Sequence, residues 1–458
     1  MTAIATPTDL VETLRQRRQR LASHIDFPVV LWSGRASARN FPANTYPFRT
    51  SSHFLYFAGL PLANAAIRLD GPQLTLFVDE TTSDDALWHG PTPTREALAA
   101  QIGADAAYPL ASLSDFARGA AAVPVQDAET IAEQLQLRET LQPEQDKALA
   151  TAIVAVRLTH DEAAIAAIRA AAQVSVQAHK AGMRATMPGQ TEAAIRAAME
   201  AVITAQGMTC AYNSIVTVHG EVLHNHVYHH TAQPGDLLLA DVGAESPSGW
   251  ASDITRTWPV TGQFSSTQRP LYEVVLAAHD ACIAAARPGV EYRDLHLLAC
   301  RTLAAGLVDL GILKGQPDSL IAQDAHALFF PHGVGHLLGL DVHDMEDLGD
   351  LAGYAPGRQR SDRFGLAFLR LDRPLQAGMV VTIEPGFYQV PAILGDPARR
   401  ERYDSVVNWE RLAEFQDVRG IRIEDDVLIT ASGCEVLTAA LPSQPDEVEA
   451  AVNSAELL

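Results

Sequence analysis

Four apolar, strand-like runs in this chain end at a carboxylate or are broken by one. DLLLAD closes on Asp241, WASDITRTW carries Asp253, MVVTIEP carries Glu384, and GIRIEDD carries Glu424. An apolar run is drawn to the interior, and an ionised carboxylate taken there alone is very costly. A chain with this pattern must either turn each acid out to water or gather the acids around cations.

Local geometry sharpens that choice. In GIRIEDD, strand alternation puts Ile421 and Ile423 on one face and Arg422, Glu424 and Asp426 on the other. Pro385 breaks the strand directly after Glu384. Asp241 and Asp253 flank Ser-Pro-Ser-Gly, which is turn chemistry. They are equidistant from Pro247, so a symmetric hairpin sets them opposite each other on one face. Carboxylates so placed repel unless a cation lies between them. Strand-end aspartates that each point to water are the alternative for that pair. Divalent ions resolve the burial of all four segments.

The stretch HGVGHLLGLDVHD, His332 to Asp344, adds three histidines on a glycine-laced backbone. His332 and His336, four apart, could share a helix face, as in zinc peptidases. However, Gly333, Gly335 and Gly339 disfavour a helix, and there is no HExxH. Glycine instead lets the backbone turn tightly, so that several side chains converge. One histidine can then ligate while the others contact substrate.

Composition excludes several classes. The formal charge of -21 argues against nucleic acid, which needs a basic face, and against an anionic membrane surface. The four cysteines, Cys210, Cys282, Cys300 and Cys434, form no CxxC pair and fit a reducing cytoplasm. No run is long and apolar enough for a membrane span, and the N-terminus has no apolar signal-peptide core, so a cytoplasmic protein is expected. The basic RQRRQR near the start reads as the solvated face of a first helix.

The 458 residues suit two domains. Residues 1–152 alternate short apolar runs, FPVVLWSG and LTLFVDE, with helical patterns, which predicts an α/β domain. Residues 126–180 are helical and alanine-rich, with the boundary expected near 152. THDE, Thr159 to Glu162, has the form of a capping box with Thr159 as N-cap. Residues 153–458 segregate strands from helices, so the expected class is α+β. PDEVEAAVNSAELL reads as an acidic terminal helix or frayed tail.

The ordered set DVGAE…SDITRTW, HGVGHLLGLDVHD, AGMVVTIEPGFY and GIRIEDD resembles the pita-bread metallopeptidases over about residues 160–440. TYPFRTSSHFLYFAGL and LWHGPTP resemble the aminopeptidase P N-terminal domain. That favours the aminopeptidase P and prolidase branch over methionine aminopeptidase, which lacks this domain. The resemblance implies an N-terminal α/β domain that serves oligomerisation and substrate access, then a catalytic domain with a curved antiparallel sheet. It implies two divalent metal ions: Asp241 on one, His336 and Glu384 on the other, Asp253 and Glu424 bridging. Four carboxylates and one imidazole suit Mn²⁺, with Co²⁺, Fe²⁺ or Zn²⁺ as alternatives. A hydroxide between the ions would attack the scissile carbonyl. His343, His332 and His224 match the family's active-site histidines. Glu384 also matches a proton shuttle to the leaving nitrogen, and Arg422 an orienting arginine. Asp241 and Asp253 stand one residue further apart than the family's pair, a difference that a longer turn around SPSG would absorb. VYHH, with His229 and His230, reads as surface loop.

The implied reaction is removal of an N-terminal residue that precedes proline, by a homodimer or homotetramer. The alternative is a prolidase restricted to Xaa-Pro dipeptides. A C-terminal-cutting peptidase and a non-catalytic peptide-binding scaffold are further readings. A metal-free, creatinase-like enzyme would have lost ligands, and all five are present.

Overall fold

The computed structural model describes residues 7–138 and 141–454. It divides into two compact units, Met1–Leu158 and Thr159–Leu458. Residue 152 falls inside the helix Pro143–Arg157, whose Ile153, Val154 and Val156 are buried, and the chain divides just beyond that helix.

The first unit is built on a four-stranded sheet in the order Val29–Trp32, Ala65–Asp70, Gln73–Val78, Ala106–Tyr108. The first three strands are antiparallel and the last is parallel. Val30, Trp32, Ala66, Phe77, Leu113 and Ala117 form a core against it. The RQRRQR segment is not simply a solvated face. Arg17 and Arg18, in the helix Pro7–Ala22, are buried. Arg18 donates to the carbonyls of Ile102 and Gly103, at 3.1 Å each, at the end of the helix Arg95–Ile102. Arg17 donates to the Tyr56 carbonyl, in the last turn of Ser52–Ala58, at 3.2 Å. A helix end leaves carbonyls without partners, and the guanidinium fork reaches them from a neighbouring helix. Burial lowers the Arg18 pKa to about 10.

The second unit is α+β. Its first helix, Glu162–Ala185, is capped by Asp161, which accepts from the Ala164 N–H at 2.9 Å. The expected cap, Thr159, lies two residues upstream of the observed one, and the intervening His160 N–H goes to the Gly378 carbonyl. That helix packs on Glu192–Ala205, and Gln268–Ala285 packs on Tyr292–Asp309. The four cysteines are free. Among the described residues no helix is long and apolar enough to cross a membrane.

A curved antiparallel sheet positions the acids. Ile215–Thr217, Leu237–Asp241 and Thr255–Pro259 lie side by side. A bridge from Thr255 to Glu424 joins them to the long segment 420–429. That segment pairs with 380–388, through Val380–Ile383 and Gly386–Tyr388. On the far side, residues 334–338 run antiparallel to 380–384, with Thr382 N–H to His336 O at 3.0 Å and Glu384 N–H to Val334 O at 2.8 Å.

Candidate active site

The register of this sheet brings acids distant in sequence into one row. Asp241 pairs with Thr255, and Thr255 bridges to Glu424. Ile383 pairs with Asp425, and Gly386 with Arg422. Glu384 therefore falls opposite Glu424, two carboxylates directly across a ladder. Paired residues share a face, and so do residues two apart. Asp253 and Arg422 thus join the row's face, as does His336, which sits across from Thr382.

The two aspartates do not oppose each other as the symmetric hairpin predicts. The turn centres on Ser248, closed by Ser246 and Trp250, so Asp241 faces Thr255 while Asp253 falls opposite Gly243. One register holds from the Leu237–Pro259 pair to the Glu245–Ala251 bridge, so any extra residue is confined to the turn. The offset is two residues, which keeps both acids on one face. Gly243 is required there, since a Cβ would lie 1.8 Å from the Ser252 carbonyl and 2.9 Å from the Tyr212 ring. Tyr212 donates to Asp253 Oδ1 at 2.5 Å.

His336 comes from an irregular stretch, not a helix. Gly335 has φ +151°, and a Cβ there would sit 2.3 Å from the Thr382 carbonyl. That close approach seats His336 beside the strand. Its Nδ1–H donates to the Leu337 carbonyl at 3.0 Å, so Nε2 carries a lone pair. Nε2 faces Asp253 Oδ2 at 3.4 Å and Glu384 Oε1 at 3.6 Å. A lone pair aimed at two carboxylates wants a cation between them. Asp253, His336 and Glu424 each offer one ligand atom within 4.8 Å of the others.

Arg422 links the acids to the histidines. It donates to Asp241 Oδ2 at 2.6 Å, to Thr255 Oγ1 at 3.0 Å and to the Tyr388 hydroxyl at 3.1 Å. Thr255 in turn donates to Glu424 Oε2 at 2.6 Å. His332 Nδ1–H donates to the Gly333 carbonyl, so its Nε2 accepts from the Tyr388 hydroxyl at 2.8 Å. Burial lowers the His332 pKa to about 3, with the Arg422 charge adding to it. The His343 ring lies edge-on to His336, centroids 4.4 Å apart, and its Nδ1 is 3.5 Å from Glu346. Although burial opposes it, contacts with His343 and Arg370 hold the Glu346 pKa at about 2. All nine residues predicted from sequence, His224 included, line one cavity of about 360 Å³. Asp241 and Glu384 stand outside the tight triad, the former engaged by Arg422 on one oxygen. Its other oxygen, Asp241 Oδ1, is buried without a hydrogen-bond partner.

Electrostatics say what this arrangement lacks. Burial, then the Asp241 charge, pushes the Asp253 pKa up to about 8. Burial raises Glu384 to about 7, against the pull of His336 and Arg422. Burial and the neighbouring acids drive Glu424 well above the carboxylate range. Acids crowded in a dry site resist ionisation unless cations join them. The orphaned Asp241 Oδ1, the free Nε2 of His336 and the oxygen-rich donor set fit divalent metal ions.

Residues 166–431 match the family described as Metallopeptidase family M24. The chain belongs to metallopeptidase family M24. Residues 14–126 match the aminopeptidase P N-terminal domain. A probable Xaa-Pro aminopeptidase of Phaeosphaeria nodorum is 32% identical over 89% of this chain and 88% of its own length. The human Xaa-Pro dipeptidase is 31% identical over 96% of this chain and 91% of its own. Among solved structures, Pseudomonas aeruginosa aminopeptidase PepP matches with a TM-score of 0.83 at 29% identity, all of both chains covered. Escherichia coli aminopeptidase P with the inhibitor Pro-Leu matches with a TM-score of 0.80 at 29% identity, covering 96% of this chain and 98% of that one. This M24 enzyme is a metallopeptidase of the Xaa-Pro aminopeptidase and prolidase kind.

Three contributors to the M24 site escaped the sequence reading. Thr255 stands two residues after Asp253, and Tyr388 stands four after Glu384. Strand alternation puts each on its acid's face, so that signal was present. Tyr212 gives none, since only the fold carries it to Asp253.

The raised acids set a pH prediction. Each raised group favours the protonated fold, so its contribution stabilises the metal-free protein below about pH 4 and is lost as pH climbs through about 7 to 8. Metal binding needs the ionised forms and releases those protons. The gain in Tm on adding Mn²⁺ to chelated protein is therefore expected to grow from pH 5 to pH 8. Thermal melts at both pH values check it, and an equal gain at each refutes the assignment.

Proposed function

We propose that this enzyme is a Xaa-Pro aminopeptidase with a dinuclear metal site, cutting between an N-terminal residue and a following proline. The observation that carries the reading is one sheet face on which Asp241, Asp253, His336, Glu384 and Glu424 line a single cavity. Asp241 would hold one ion, His336 and Glu384 the other, and Asp253 and Glu424 both. Four carboxylates and one imidazole favour Mn²⁺. When bound, the ions supply Lewis acidity toward the scissile carbonyl and a water ionised near neutral pH.

The chain's own residues do the rest. An X–Pro amide has no N–H, so recognition cannot grip that hydrogen. The proline nitrogen leaves as a secondary amine and must be protonated. Glu384, on the cavity wall with one carboxylate oxygen toward His336 and the other toward His332, is placed to take up a proton and pass it to that nitrogen. His343 has Nδ1 toward Glu346, which leaves Nε2 for the substrate carbonyl oxygen. His332 is fixed as a neutral imidazole by Gly333 and Tyr388. His224 sits at the cavity wall, and partial desolvation there, then the Arg422 charge, lowers its pKa, keeping it neutral as well. Arg422 holds Asp241 and, through Thr255, Glu424 in place.

The similarity to human Xaa-Pro dipeptidase over nearly the whole chain favours a second reading, a prolidase with the same site. The experiment is cleavage of Ala-Pro, Ala-Pro-Ala and Ala-Ala-Ala by chelated protein reloaded with Mn²⁺, Co²⁺, Fe²⁺ or Zn²⁺. Release of alanine from the N-terminus of Ala-Pro-Ala, fastest with Mn²⁺, is the expected result. Cleavage of Ala-Pro alone selects the prolidase. Cleavage of no proline peptide with any metal sinks both. A homo-oligomer in a reducing cytoplasm completes the proposal, and light scattering measures the assembly.

A further inference from the structure

Segment 218–230 crosses from one strand to the next with neither helix nor strand of its own, and His224 stands exposed at its middle, on the cavity wall. Such a segment is mobile unless tied down. Ties from both of its stems meet at Glu192, the first residue of the helix Glu192–Ala205, fully buried at 0% exposure. Glu192 Oε1 accepts from the Thr217 hydroxyl and the Val218 N–H, at 2.9 Å each, on the incoming stem. Glu192 Oε2 accepts from the His230 N–H at 3.1 Å and from His230 Nδ1–H at 3.0 Å, on the outgoing stem. The Glu192 N–H donates back to the His230 carbonyl at 3.0 Å. His230 is therefore not free surface loop. Its ring is wedged between those of His219 and His229, with centroids at 4.2 and 4.0 Å.

The chain of contacts continues to the site. Thr217 Oγ1, whose proton goes to Glu192, accepts from Asn225 Nδ2 at 2.9 Å and from the His219 N–H at 2.9 Å. Its bonding capacity is then full. Asn225 is buried, accepts from the Val227 N–H at 2.9 Å and is the immediate neighbour of His224. One carboxylate thus clamps both ends of the loop, and one hydroxyl carries the clamp to its apex.

We propose that Glu192 is a positioning residue for X–Pro hydrolysis, acting through Thr217 and Asn225 to hold His224 against the cavity. This rests on the reading of His224 as a substrate-contacting histidine given above. Charge-assisted bonds are the strong ones, and the clamp makes four of them on a single buried group. Release of the clamp leaves the metal ligands untouched, since none lies on this loop, and lets the imidazole drift. A shift of about 1 Å in a reacting group costs up to about a hundredfold in rate.

The test uses Thr217→Val, which keeps the side chain's shape and removes the hydroxyl, alongside Thr217→Ser, which retains it, and Glu192→Gln. Each is made in wild-type protein and in a His224→Ala background, loaded with Mn²⁺ and assayed on Ala-Pro-Ala. Thr217→Val is expected to lower kcat/KM about tenfold, mainly through kcat, and Thr217→Ser by less than about twofold. Bound metal stays unchanged. In the His224→Ala background the further loss from Thr217→Val shrinks below about twofold, because both changes act on one group. Hydrogen exchange over 218–230 rises in Thr217→Val and not elsewhere. A full-sized loss on top of His224→Ala, or a Thr217→Val enzyme with wild-type kinetics, overturns the proposal. Should Glu192→Gln not fold, Thr217→Val alone decides. A His224→Ala enzyme with wild-type kinetics overturns the proposal at the earlier step, the role of His224. Wild-type protein inert on all proline peptides overturns the functional reading beneath it.

Discussion

Glu424→Gln is expected to lower kcat/KM on the order of 10⁴-fold while raising the Tm of the metal-free protein. Both effects follow from where Glu424 lies. It stands opposite Glu384 across the ladder and is bridged to Thr255, with Asp253 and His336 within ligand reach. Without metal it is strongly disfavoured as an anion, through burial and then Asp253 and Glu384. A neutral amide removes that repulsion and still accepts from the Thr255 hydroxyl. With metal, the same change removes a proposed bridging ligand, so stoichiometry falls and the stabilisation by Mn²⁺ shrinks. Elemental analysis, kinetics and melts with and without chelator read the three effects. A variant with full metal content and full rate, or one whose metal-free form is less stable than wild type, contradicts the bridging role.

The second large effect is expected at Arg422. Arg422→Met strips three donors from the cavity wall and leaves Asp241 without its counter-charge. A buried charge that loses one partner costs about 3–5 kcal/mol, and that loss in unfolding free energy is the expected result for metal-free protein. Mn²⁺ is expected to restore part of it, because an ion held at the proposed site would take over the neutralisation of Asp241. Activity falls about a hundredfold or more even at saturating metal, since Thr255, Tyr388 and His332 lose their common anchor. Arg422→Lys does not rescue, because an ammonium is a point charge that cannot reproduce the planar fork to three acceptors. Denaturant titration measures the stability and steady-state kinetics the rate. Near-wild-type stability for Arg422→Met, or full activity for Arg422→Lys, refutes this account.

The buried acids also explain a division of labour along GIRIEDD. Glu424 faces the cavity, whereas Asp425, on the other face, takes a two-oxygen contact from Arg256 Nη2 at 2.9 and 3.1 Å. Burial works against its charge, yet Arg256 and the contacts from His279 and Thr438 hold Asp425 well below the usual range. Asp426 returns to the cavity side and accepts from the Ser252 hydroxyl and the Asp253 N–H, at 2.8 and 3.0 Å. Three consecutive acids thus meet three partners: a cavity of acids that calls for cations, an arginine, and the backbone amide of a proposed ligand, Asp253.

By itself the sequence determined which side chains would line the candidate site and which face of its strand each takes. Alternation is a local property, so Arg422, Glu424 and Asp426 could be read as one face from seven letters, and the apolar runs ending in Asp241 and Glu384 announced acids that must enter the interior. The glycines of HGVGHLLGLDVHD announced a convergent loop, because only a missing Cβ permits the contact that Gly335 makes with Thr382. Only the tertiary structure decided how those faces meet. Register across strands depends on turn centre and on partners far away in sequence, so the hairpin turning on Ser248 rather than Pro247 set Asp253 across from Gly243 and Asp241 across from Thr255. The pairing of 380–388 with 420–428 alone set Glu384 against Glu424. Long-range contacts likewise recruited Tyr212, buried Arg17 and Arg18 against helix ends, and fastened both stems of the His224 loop to Glu192. Such contacts follow from packing, and no local pattern of residues encodes them.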